Sequence, residues 1–201
     1  MSFLKRLFGK KEVPYITIVS GLPRSGTSMM MKMLAAGGLR PLTDEVRTAD
    51  IDNPEGYYEF ERVKQLDKGD TAWLPEAQGR TVKVITALLK HLPPGYEYRV
   101  VFMRRRIEEV LASQKKMLLN RGEAADEVSD EELAQLYRRH LGHVDAWLSN
   151  QPNVKVLHVN YNSMLKTPEA ELPALLAFFD HTLDGEKMLQ VVNPDLYRNR
   201  T

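Results

Sequence analysis

The chain has 201 residues, 43% of them hydrophobic and 27% charged, with a formal net charge of +1. That size suits one domain with a sizeable core, and the charge balance predicts no nucleic-acid partner, while leaving room for local patches. With no cysteine there is no disulfide framework, thiolate nucleophile or zinc–thiolate site, which fits a reducing, cytoplasmic setting; no run is long and apolar enough to span a bilayer.

Residues 1–14 read as a basic amphipathic arm, ahead of a single α/β domain over 15–201. Phe3, Leu4, Leu7 and Phe8 can share one helical face, with Lys5, Arg6, Lys10 and Lys11 around them. Two readings stay open: an arm packed on the domain, and peripheral contact with a membrane surface through residues 3–11. The stretch lacks the long apolar core of a secretory signal.

Residues 15–19 (Tyr-Ile-Thr-Ile-Val) form a β-branched run that stops at Gly21-Leu-Pro-Arg-Ser-Gly-Thr-Ser28, after which Met29, Met30, Met33 and Leu34 recur at helical spacing. The order strand, glycine loop, helix start aims backbone N–H groups and a helix dipole at one point, the setting for a phosphate-like anion. Gly21 and Gly26 let the backbone curl closely, and Pro23 stiffens the turn. The loop is nearly a Walker A motif, but Thr27-Ser28 stands where an NTPase has Lys-Ser/Thr, leaving Arg24 as the loop's cation.

Gly37-Gly38 ends the first helix. The polar stretch 43–62 follows, with Asn53-Pro-Glu-Gly-Tyr-Tyr-Glu59-Phe-Glu61 at its centre. It reads either as a surface loop or as a substrate-side loop carrying a carboxylate base. Residues 82–86 predict a short strand and 87–92 a helical piece. Tyr98–Met103 predicts a buried strand running into Arg104-Arg105-Arg106, where a Walker B strand would end in a magnesium-holding aspartate. Cations at that strand end predict a second anionic group rather than a metal.

A helix follows from Ile107, then a polar connection over 119–129. Ser129-Asp-Glu-Glu132 is a capping-box signature. It opens a long helix with an expected buried stripe of Leu133, Leu136, Tyr137, His140 or Leu141, Val144 and Trp147 or Leu148. His140-x-x-His143 has metal-ligand spacing but no matching carboxylate pattern, so no metal site is assigned. Val154–Val159 predicts a strand and Glu169–Phe179 a last helix. The alternation predicts a three-layer α/β/α fold with a central parallel sheet, of P-loop NTPase-like class.

Three pieces in this order resemble the sulfotransferase family. Gly21–Ser28 is similar to its 5′-phosphosulfate loop in an arginine form. Arg105 with Ser113, eight positions on, is similar to its 3′-phosphate element, and Val159-Asn-Tyr161 through Pro168 to its strand–helix signature. The Asn53–Glu59 stretch resembles one in bacterial members. Arg106 and Ile107 replace the Asp/Asn-Pro that often follows the family arginine, and the Gly-rich C-terminal lysine loop is not evident in Tyr197-Arg198-Asn-Arg200.

The resemblance implies 3′-phosphoadenosine 5′-phosphosulfate (PAPS) as co-substrate, 3′,5′-adenosine bisphosphate (PAP) as product, and sulfuryl transfer to a hydroxyl or amine with no metal. Gly21, Pro23, Arg24, Ser25, Gly26, Thr27 and Ser28 would cradle the 5′-phosphate, with Arg24 also acting on the leaving oxygen. Arg105 and Ser113 would hold the 3′-phosphate. Glu59 is the candidate base, Glu61 the second choice, and Lys83 a candidate aid to the sulfonate. The alternatives are a non-catalytic nucleotide-binding module and, further off, a small P-loop kinase. Neither the acceptor nor an oligomeric state is legible in the sequence.

Overall fold

The computed structural model describes residues 14–44, 46, 56–123 and 128–193. The basic arm through residue 13, the Asn53–Glu55 part of the turn segment, positions 124–127 and the tail from 194 lie outside these residues.

The β-branched run after Tyr15 becomes strand β1, Ile16–Gly21, buried at every position. Two parallel neighbours flank it: β2, Thr81–Lys83, through Thr17–Val19, and β3, Tyr98–Arg104, through the whole of β1. Strand β4, Val154–Asn160, extends the sheet beyond β3, giving the order β2-β1-β3-β4. Side chains alternate between the two faces of a strand. Val100 and Phe102 therefore enter a core with Ile18, Trp73 and Leu148, while Val101 and Met103 enter the opposite one with Met30, Leu175 and Phe179.

Helices cover both faces. Around the first core lie a 3₁₀-helix, Glu61–Lys68, the short α2, Leu74–Ala77, a second 3₁₀-helix, Thr86–His91, and part of α4, Asp130–Ser149. The second core takes α1, Thr27–Ala36, with α5, Tyr161–Lys166, α6, Pro168–Phe178, and α7, Gly185–Gln190. The remaining helix, α3, Ile107–Asn120, packs on α4. The result is the three-layer parallel α/β/α fold expected.

Several element bounds shift for local reasons. The strand expected at 82–86 is Thr81–Lys83; Val84 N still donates to Val19 O at 3.0 Å, but the chain then winds into the 3₁₀-helix. The helix expected last, Glu169–Phe179, is α6, which Pro168 opens at a position where its missing N–H costs nothing, and it is preceded by α5 and followed by α7. The capping box at Ser129 forms, its Oγ accepting from Glu132 N at 3.3 Å. The stripe of α4 differs from the expected one: Ala134 is buried and Leu136 is 51% exposed. The first half of this helix meets α3, where Tyr137 Oη donates to Gln114 Oε1 at 2.6 Å, and the second half meets the sheet. One continuous stripe cannot serve both.

The chain leaves β1 for β2 on one side and returns to β3 on the other. That reversal puts a topological switch point at the carboxyl ends of β1 and β3, where open parallel sheets bind ligands. Both the glycine loop and the arginine run sit there.

Candidate active site

The loop's shape follows from three residues with positive φ. Gly21 has φ 154°, and a Cβ there would lie 2.9 Å from Met103 O. Gly26 has φ 96°, and a Cβ there would enter the Tyr161 ring. Arg24, at φ 68°, adopts the left-handed region without being glycine, a cost of roughly 1–3 kcal/mol that surrounding contacts must offset. Ser25 holds the turn: its N–H donates to Leu22 O at 3.1 Å, and its buried Oγ packs beside Gly21. Pro23 is exposed at the tip.

Helix α1 starts at Thr27 with no side-chain cap and no acidic residue in its first turn. An N-terminus with these two features keeps its partial positive charge for a bound anion.

The arginine half closes onto this loop. Arg24 Nε donates to Ser113 Oγ at 3.0 Å, and Arg105 Nη1 donates to Arg24 O at 3.0 Å. The Arg105 guanidinium also lies 4.6 Å from the Tyr161 ring centroid, over its face, and its Nε donates to Glu109 Oε2 at 2.9 Å. Glu109 is fully buried and accepts from Asn162 Nδ2 at 2.8 and 3.0 Å. The fold thus brings Gly21, Arg24, Ser25, Gly26, Arg105 and Ser113 into one cluster. Glu109, Asn162 and Tyr161 are members that the sequence reading did not assign. The spacing Arg105, Glu109, Ser113, every fourth residue, was the available signal.

The carboxylate segment approaches from the β2 side. Lys83 Nζ donates to Tyr57 O at 3.0 Å and reaches Ser28 Oγ at 3.4 Å. Lys83 therefore ties residue 57 to the start of α1, with Glu59 two residues further along. Thr43 Oγ1 donates to Glu59 O at 2.8 Å, and Glu61 N donates to Asp44 Oδ2 at 2.6 Å. Lys64 Nζ lies 2.6 Å from Glu61 Oε1 and 3.6 Å from Glu59 Oε2. The hydrogen bond that Lys64 donates to Glu61, with the charge of Glu59 adding, raises the pKa of the Lys64 ammonium above its ordinary value. The Glu59 side chain is 20% exposed and that of Glu61 42%.

His140 of the His-x-x-His pair hydrogen-bonds Thr86 Oγ1 at 2.8 Å. Among the described residues no three His, Asp or Glu side chains cluster as a metal ion would need, and no helix is long and apolar enough to cross a membrane.

An anion-ready loop and an arginine-rich strand end at the switch point of a parallel sheet define an α/β protein with its cations gathered at the ligand edge. The comparisons narrow that class. The Sulfotransferase family profile matches residues 57–185, and the chain belongs to that family, whose common chemistry is sulfuryl transfer.

Among solved structures, the chain is similar to the sulfotransferase domain from the curacin biosynthetic pathway. That match has TM-score 0.52 and 16% identity over 92% of this chain and 80% of that one. It is also similar to the sulfotransferase domain from the Synechococcus PCC 7002 olefin synthase, with TM-score 0.53 and 14% identity over 94% and 89%. A mouse sulfotransferase, SULT7A1, complexed with PAP, aligns at TM-score 0.46 and 16% identity over 89% of this chain and 62% of that one. The first two likenesses show a shared fold. No curated protein matches the chain by sequence.

Proposed function

We propose that this protein transfers a sulfuryl group from PAPS to a hydroxyl or amine of an acceptor, with PAP as the product. The observation that carries this reading is the junction where Arg24, Arg105 and Ser113 meet beside the uncapped N-terminus of α1. Two anion-binding halves in contact suit a donor with phosphates at both ends of one ribose.

The N–H groups of Gly26, Thr27 and Ser28, the hydroxyls of the last two, and Arg24 suit the 5′-phosphate. Arg24 stabilises charge that develops on the phosphate oxygen as the sulfur–oxygen bond breaks. Arg105 and Ser113 suit the 3′-phosphate, the group that distinguishes this donor from ATP. Glu59 takes the acceptor proton as the acceptor's bond to sulfur forms, and Glu61 is the second choice. Fixed cations and backbone dipoles supply the charge compensation, so the proposal includes no metal.

Calorimetric titration with 3′,5′-adenosine bisphosphate, beside ATP and AMP, tests the donor site. Tight bisphosphate binding, weak ATP binding and a loss of ~1.5–3 kcal/mol in Arg105→Ala are expected, on the scale of hydrogen bonds to charged groups. A wild-type protein that ignores the bisphosphate or prefers magnesium-ATP overturns the reading.

A further inference from the structure

Arg105, Glu109 and Ser113 recur at every fourth residue around the start of α3, so they line one face a turn apart. Two are candidate ligand residues. Between them sits a fully buried carboxylate, which persists at that depth only with charged or hydrogen-bonding partners. It has them: Arg105 Nε at 2.9 Å, Arg106 Nε at 3.7 Å, and Asn162 Nδ2.

We infer that Glu109 is a positioning residue for the candidate nucleotide site, setting the direction of the Arg105 guanidinium and, through it, the conformation of Arg24. A guanidinium is a rigid planar fork, so committing Nε to Glu109 fixes where the two terminal nitrogens point. With the plane laid over Tyr161, Nη1 meets the carbonyl of Arg24. That bond holds Arg24 in its left-handed conformation, from which Nε reaches Ser113. A ring closes: Glu109 to Arg105, Arg105 to Arg24, Arg24 to Ser113, and Ser113 back to Glu109 along one helix. Asn162, which opens onto the same carboxylate from α5, ties the ring to the turn that carries Tyr161.

Charge alone predicts the opposite role. A carboxylate 2.9 Å from an anion-binding arginine weakens the field felt by a phosphate. On that view Glu109→Gln would tighten anion binding; the positioning role requires that it weaken.

The name of the ligand rests on the sulfotransferase reading, but the ring does not, so the test has a ligand-free arm. Arginine side-chain NMR is recorded for the wild type, Glu109→Gln and Arg105→Lys, the last keeping the charge while losing the fork. Displaced Nε–H resonances of Arg24 in both variants are expected. In parallel, bisphosphate affinity should fall at least about tenfold in Glu109→Gln. Adding that change to Arg105→Lys should then cost less than about twofold, since the coupled partner is already lost.

An Arg24 resonance that stays put in both variants overturns the inference, as does Glu109→Gln binding the bisphosphate as tightly as the wild type or more so. If Glu109→Gln does not fold, the Arg105→Lys spectrum decides. Failure of the wild type to bind the bisphosphate removes the donor reading and leaves the NMR arm to judge the ring.

Discussion

The two sides of the candidate site are built differently. On the proposed donor side, Arg105 and Glu109 have side chains only 6% and 0% exposed, and positive φ at Gly21, Arg24 and Gly26 sets the loop. On the proposed acceptor side, Glu59, Glu61 and Lys64 share partly solvated ion pairs, with Lys64 52% exposed and Glu59 20%. Solvated pairs of that kind contribute little to stability. The difference teaches that one half is preorganised around buried charge, whereas the other has backbone links to Thr43, Asp44 and Lys83 among its contacts. The proposed function, with a common donor and a variable acceptor, calls for that division.

The largest expected effect breaks the comparison at its chemical end. In Glu59→Gln, acceptor-dependent release of bisphosphate should fall ~10²–10⁴-fold, the usual range for losing a general base. Bisphosphate affinity should stay within about twofold, because the donor half does not depend on this carboxylate. Glu61→Gln is the control. If it is the one that loses turnover, the base is reassigned; if neither does, neither carboxylate is the base.

A smaller effect sharpens the comparison at the seam. Lys83 touches both halves, donating to Tyr57 O and reaching Ser28 Oγ. Lys83→Met keeps the length of the side chain and deletes the link. One such hydrogen bond is worth ~1 kcal/mol, so a rise of about fivefold in the acceptor KM is expected, with a lesser loss of bisphosphate affinity. Equal losses on both sides would show that Lys83 serves the two halves alike, and a loss confined to bisphosphate affinity would assign it to the donor half alone.

Legibility in the sequence follows the same boundary. The β1 run, the glycine loop and the capping box at Ser129 announce themselves because local backbone chemistry dictates them. Arg105 and Ser113 were paired through the family resemblance, Arg105 just before α3 and Ser113 on it. That Arg24 would swing to Ser113, and that Asn162 would meet Glu109, depends on contacts across 89 and 53 residues of chain, which no local pattern encodes. Leu136 was misplaced for a related reason: helical periodicity identifies an apolar face but not how far along it the sheet extends. Lys83 was legible as a strand residue near the ligand edge; its bond to the Tyr57 carbonyl was not.

The smallest effect concerns α4 where it meets the 3₁₀-helix that follows β2, and its sign can be worked out. His140 bonds Thr86 Oγ1 three residues beyond Lys83, and partial burial lowers its pKa below the ordinary 6.5, with the charges of His143 and Lys90 adding to the shift. A histidine with a depressed native pKa takes up its proton more readily in the unfolded chain. Its contribution to stability is therefore fully present above the unfolded value of 6.5 and is lost as pH falls through the native value. Melting temperature should decline as the buffer is taken from about pH 7.5 to 5.5, across the range where histidine titrates. His158 shifts the same way, chiefly by burial and also by the charge of Arg104, so the wild-type slope is a sum. His140→Gln, which can still hydrogen-bond Thr86, isolates one contribution: its slope should be shallower than the wild type's, while bisphosphate affinity at neutral pH is unchanged. An identical slope would place the acid sensitivity at His158, on the β4 side of the sheet, and leave the Thr86 contact without a role in it.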